Sequence, residues 1–283
     1  MNPLKAIEPV ETVIIEDVVA RMLRADMKAA ASELGDNEAR YLVDAYYAMQ
    51  KVRIHLGNQT SAAGRSNEPN RLTAYLQVQM AILEGTVKSV LDQYTQKSRV
   101  GKWMRGITGI GPVLAAGLLS QIDITRAPTV GHIWSFAGLD PSKKWLKGQK
   151  RPWNARLRVI CWKIGESFVK VSALDSDVYG KHWIKFKARY AAKNEAGDYA
   201  GQAADILASK NFGKDTLAYA AYIKGKLPLG HVHARAKRAA VKLFLAHLHD
   251  VWYRDHYGKA PPFPYIFEHS GAEHVHYIPP PEG

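Results

Sequence analysis

The residues with the clearest chemical use lie in "ITGIGPVLAA", Ile107 to Ala116. Glycine adopts positive φ without a Cβ clash, and its bare backbone lets a ligand approach closely, so the Gly109 and Gly111 pair suits a tight turn between two helices. Pro112 fits the first position of the second helix, where its missing N–H costs nothing. That helix begins with unpaired backbone N–H groups and the positive end of its dipole, which favour a phosphate oxygen. Thr108, Gly109, Ile110 and Gly111 are therefore candidate contacts to a nucleic-acid backbone, in the manner of a helix-hairpin-helix that carries no sequence information. The other reading is a glycine hinge between core helices that binds nothing.

A second candidate follows in the chain. From Ser142 to Gly165 there is no Asp or Glu, but there are eight basic residues, and without interleaved acids such a run repels itself and calls for a counter-charge. Lys143, Lys144, Lys147, Lys150, Arg151, Arg156 and Arg158 are the candidate phosphate contacts, with Trp145 and Trp153 interleaved. Lysine and arginine release counterions from phosphates, and aromatic faces stack on unpaired bases. The placement of charge agrees. Residues 1 to 100 hold 12 basic and 12 acidic side chains and residues 101 to 283 hold 27 and 14, so the whole net charge of +13 lies after residue 100. A polyanion-binding part joined to a neutral part is the expectation, with duplex DNA as partner through its backbone and structured RNA as a further partner.

Eight of the eleven histidines follow residue 230, including the pairs His231/His233, His247/His249 and His274/His276. On a helix, residues two apart diverge by about 200°, which separates His247 from His249. The other two pairs read as non-helical and would converge on an ion only if the tail folds back. No metal site and no cofactor is assigned, and no Walker loop, nucleotide-binding glycine fingerprint or complete zinc motif is present. The single cysteine, Cys161, lies in a run that reads as a buried helix, so a reducing compartment is expected. The longest apolar run, Val113 to Leu119, is far short of a membrane span. With acids scattered through the N-terminal apolar residues, no signal peptide is read and a cytoplasmic location is expected.

The elements that must position these residues are helices, and the fold class expected is mainly α. Residues 1 to 100 form a helical arm. Its second long pattern carries a stripe of Leu72, Tyr75, Leu76, Val78, Ile82, Leu83, Val87 and Val90 after the polar break "GNQTSAAGRSNEPN". It packs either on itself as a helical hairpin or as a coiled coil in a homo-oligomer. Residues 101 to 260 form the basic α-helical domain, with an insertion at about 194 to 229, and the Pro-rich residues 261 to 283 an extended surface tail.

In chain order, "GITGIGPVLAAGLLSQI", "SFAGLDP", the basic stretch and "NARLRVICWKIGES" resemble the C-terminal domain of the bridge-RNA-guided insertion-sequence transposases, the DEDD transposases. The family pattern runs through "PGIGP", an "AGLxP" turn, a Ser-Gly loop and a helix opening "GNxxLRxxL", of which Asn154, Leu157 and Arg158 match the last. "AKRAAVKLFLAHLHDVWY" resembles the closing helix and the long helices before Gly101 the coiled-coil linker, so the resemblance runs roughly from 38 to 260 and is most specific from 106 to 160.

The resemblance implies a transposase-type protein of DNA transposition and recombination. Two features depart from it. The family's RuvC-like catalytic domain has no room ahead of the linker helices, where Glu16, Asp17 and Asp26 fall on a helical pattern without strands to place them for two-metal chemistry. In "SKKWLKGQKRPW", Leu146 or Lys147 falls where the family's serine nucleophile stands, and Ser142 is displaced toward the proline. No catalytic residue is assigned. The expectation is a nucleic-acid-binding protein that does not cut on its own. The alternatives are an active serine- or metal-dependent recombinase or nuclease, and a mobile-element or phage accessory factor acting through protein–protein contacts.

Overall fold

Helical periodicity becomes ten α-helices, with no strand among the described residues, which in this computed structural model are 26, 29–67, 70–262 and 278–281. The helices are α1 Asp36–Arg65, α2 Arg71–Gln96, α3 Arg99–Gly106, α4 Pro112–Gln121, α5 Val130–Phe136, α6 Ala155–Val171, α7 Tyr179–Glu195, α8 Ala200–Ser209, α9 Leu217–Tyr222 and α10 Leu229–Tyr257. They divide into two compact units. One comprises Met1–Gly101 with Ala115–Gln121, the other Lys102–Leu114 with Ile122–Gly283. Glu16, Asp17, His269, His274 and His276, with most of the Pro-rich tail, lie outside the described residues.

In the first unit α1 and α2 pair antiparallel within the chain. The Tyr94 hydroxyl donates to Asp36 at 2.6 Å, Arg53 pairs with Glu84 at 2.6 Å, and the Thr60 hydroxyl donates to that of Thr73 at 3.1 Å. Glu84 is buried, and a buried carboxylate is stable only when paired, which makes Arg53 its required partner. One expectation is corrected here. The "polar break" is helical as far as Arg65, and the turn begins only at Ser66. Polar, turn-prone residues persist in this helix because its face toward α2 is itself polar. The expected apolar stripe is divided: Val87 and Val90 are buried, while Leu72, Tyr75, Leu76, Val78 and Leu83 are exposed.

The second unit is built around α10, which packs on α7, α6 and α5. Phe244 at its centre meets Phe168 edge-on at 5.6 Å and Tyr179 at 5.2 Å, and lies parallel to Trp103 at 6.1 Å. Tyr199, Ala203, Tyr222, Leu227 and Val232 form a satellite core. Asn194 secures it, donating to the Leu227 carbonyl at 2.9 Å and accepting from its N–H at 2.8 Å. Cys161 is buried as expected, and burial pushes its thiol up to about 12. No described helix is long and apolar enough to cross a membrane.

The non-helical reading of His231 and His233 is overturned, because both lie on α10. An amphipathic helix beginning at Leu229 competes successfully with the glycine-dotted sequence before it. His233 meets the Trp183 ring edge-on at 5.3 Å. His247 and His249 are buried structural groups. Nε2 of His247 donates to the Ile278 carbonyl at 2.8 Å and its Nδ1 accepts from the Tyr179 hydroxyl at 2.8 Å, while Nε2 of His249 donates to the Ala127 carbonyl at 2.8 Å. Among the described residues no group of three or more metal-ligating side chains forms.

These bonds suit neutral imidazoles. Burial holds His247 and His249 below their ordinary value, as it also does His182, His231 and His233. The unfolded chain therefore takes up protons that the fold refuses. Stability is full above an unfolded value of about 6.5 and declines as pH falls below it. Thermal melts are expected to show Tm falling between about pH 7 and pH 5, less steeply in His247→Asn. A Tm flat over that interval would contradict the assignment.

Candidate nucleic-acid interface

Residues 107–111 connect α3 to α4 and form a concave, open groove lined by the chain from Arg105 to Gly111. The Ile110 N–H donates to the Ile107 carbonyl at 2.9 Å, closing a four-residue turn whose third residue, Gly109, has φ +94°. An L side chain is strained there, which is why glycine is needed. Gly111 has no positive φ, and a Cβ on it would meet nothing within 4 Å. Its lack of a side chain leaves the mouth of the groove open rather than relieving strain. Ile110 turns its side chain inward at 2% exposure, so only its backbone remains at the groove.

The turn is fixed to the unit by named bonds. The Ser167 hydroxyl of α6 donates to the Gly109 carbonyl at 2.6 Å, and the Thr108 hydroxyl donates to the Ser176 carbonyl at 3.0 Å or its hydroxyl at 3.1 Å. Arg105 donates to the Ile110 carbonyl at 2.7 Å. Arg105 is a basic group in the groove that the sequence reading passed over. Its only signal was its position in the last turn of the helix entering the motif.

"FAGLDP" is a helix stop. Gly138, at φ +68°, follows α5, with its N–H donating to the Ser135 carbonyl at 3.0 Å and the Leu139 N–H to the Trp134 carbonyl at 2.8 Å. This is a Schellman cap, which requires a left-handed residue where the glycine stands. Asp140 then accepts from the Ser142 N–H at 2.9 Å and hydroxyl at 2.7 Å. Those two bonds, with Lys143 and Lys242 nearby, hold the Asp140 carboxyl below the usual range. The Ser142 hydroxyl thus closes a turn against a carboxylate that is a poor base.

Lys143, Lys144, Lys147, Lys150 and Arg151 all lie on the exposed loop that follows, and Arg156 and Arg158 on the exposed face of the first turns of α6. The loop carries internal order. The Arg151 guanidinium stacks on Trp145 at 4.5 Å, and the Trp145 indole donates to the Gln149 carbonyl at 2.7 Å. Arg158 stacks on Trp153 at 4.5 Å. The Asn154 side chain caps α6, accepting from the Arg156 and Leu157 N–H groups at 2.9 and 3.1 Å, and its own N–H donates to the Phe136 carbonyl at 2.8 Å.

The two candidate patches are not one cluster. The loop joins α6 at Asn154 and the turn docks on it at Ser167, which at 1.5 Å per residue places them about 20 Å apart along that helix. Basic residues of α10 also reach this region: Lys242 stacks on Trp134 at 4.2 Å, and Lys237 pairs with Glu166 of α6. The sequence reading did not single out these α10 groups, since their pairing with α5 and α6 is a long-range fact.

The family model described as Transposase IS116/IS110/IS902 family matches residues 102–163. The matched segment holds the glycine turn, the Schellman cap, the basic loop and the first half of α6. No curated protein and no solved structure matches the chain. The match is consistent with a member of the insertion-sequence transposases of this type and supports a transposition-related function, with nucleic acid as the partner it suggests.

Proposed function

We propose that the transposase domain of this chain acts in DNA transposition by gripping a nucleic-acid backbone at two points, the 107–111 turn as a helix-hairpin-helix and the basic loop 143–151 with Arg156 and Arg158. The observation that carries this reading is the open groove at Gly111, a backbone cradle on a unit whose sequence holds all the excess positive charge. A separation of about 20 Å corresponds to roughly six base pairs at 3.4 Å of rise, so a duplex longer than that can touch both points. Duplex DNA is the primary ligand and structured RNA the second. The exposed Leu72, Tyr75 and Leu76 on α2 support a homo-oligomer through the first unit. The buried Cys161 thiol suits the cytoplasm.

The chain is proposed to bind without cutting unaided, since the Ser142 hydroxyl is engaged with Asp140 and no other hydroxyl lies in the loop. The test of binding is affinity for duplex DNA as a function of salt. Log K is expected to fall by about 0.9 per phosphate neutralised, with the slope reduced by about two in Lys143→Glu with Lys144→Glu. A flat slope in the unmutated chain would overturn the proposal. Any strand nicking by the preparation is expected to survive Ser142→Ala; its loss in that variant alone would assign the serine a catalytic role.

A further inference from the structure

Between α6 and α10 lies a cleft of about 150 Å³ whose walls include Arg158, Trp162, Lys237 and Arg238, with Cys161 and Gly165 at its floor. Its charge is one-sided. Lys237 is neutralised by Glu166, whereas among the described residues Arg158 stacks on Trp153 and neither Arg158 nor Arg238 is paired with a carboxylate. Partial desolvation and the nearby Arg235 and Arg158 work against the charged form of Arg238, and desolvation together with Arg238 and Arg235 disfavours protonation of His231. Both guanidiniums are solvent-exposed, so a phosphate that enters the cleft replaces water on two charged donors that line it.

The dimensions narrow the ligand. At about 30 Å³ per water the cleft holds roughly five waters, which is enough for a phosphate group but not for a nucleoside. A base attached to that phosphate must lie outside, where Trp162 presents a ring that is 60% exposed. We propose that this cleft holds one unpaired nucleotide of a single-stranded or locally opened nucleic acid, its phosphate between Arg158 and Arg238 and its base stacked on Trp162. A base in a continuous duplex is already stacked on both sides and cannot offer its face to an indole, so the cleft selects unpaired strand. The inference rests on the nucleic-acid reading above and adds to it a second, strand-selective site.

The test measures affinity of the full chain for a short deoxythymidine oligonucleotide, the corresponding uridine oligonucleotide, and a duplex long enough to span both grip points. Trp162→Ala and Arg238→Gln are each expected to weaken single-strand binding about tenfold and leave duplex binding within about twofold. Trp162 is exposed, so its truncation keeps the fold should Arg238→Gln not. Gly111→Val is expected to do the reverse. Tighter binding of either the deoxy or the ribo strand, lost in both cleft variants, supports the site and identifies its strand. Unchanged single-strand affinity in Trp162→Ala overturns it, as does an equal loss on duplex. If the unmutated chain binds no nucleic acid at all, the broader reading fails as well.

Discussion

Gly111→Val is expected to weaken binding to duplex DNA about tenfold with Tm unchanged, whereas Gly109→Val is expected to lower stability by about 3 kcal/mol and to lose binding as a consequence. The two glycines differ in what they supply. At Gly111 the added side chain enters open space and the backbone is ordinary, so the substitution changes only the mouth of the groove. A phosphate that must approach the backbone there meets two methyl groups instead. At Gly109, φ is +94° and a Cβ would stand 3.2 Å from Ser167 Oγ and from Val171 Cγ2, so a β-branched residue carries left-handed strain together with overpacking. Thermal melts alongside duplex titrations separate the cases. Full duplex affinity in Gly111→Val would mean that no phosphate approaches the turn.

Gly138→Ala is expected to lower stability by about 2 to 4 kcal/mol and to weaken binding through the basic loop. A Cβ on Gly138 would lie 2.8 Å from Cγ of Trp153, at a φ of +68°. The indole must then move, and with it the stacking of Arg158 and the entry of the loop into α6. Tm and the salt slope are expected to fall together; a variant with unchanged Tm would show that the Schellman cap tolerates a side chain. Trp153→Ala in the same background is expected to recover part of the stability, because the overlap is with that ring.

Much of this was legible in the sequence because it is local. The glycine turn with Pro112 behind it and the burial of Cys161 each follow from side-chain and backbone chemistry within a few residues. The failures share the opposite cause. "GNQTSAAG" reads as a break by composition, yet it is helical because an antiparallel partner offers Thr73 and Gln77 to its polar face. His231 and His233 read as non-helical after the glycine-dotted stretch, but the packing of Val232 into the satellite core extends α10 back over them.

By itself, then, the sequence determined a mainly α chain, the position of its positive charge and a glycine turn before Pro112, since helix period, net charge and φ preference are properties of residues and their near neighbours; which of the two glycines is left-handed came from the structure. Tertiary structure alone decided that the turn and the basic loop stand at separate points along α6. It alone set Arg158 and Trp162 against Arg238, which lies roughly eighty residues further along the chain. Contacts across that distance depend on how helices pack, which no local spacing encodes.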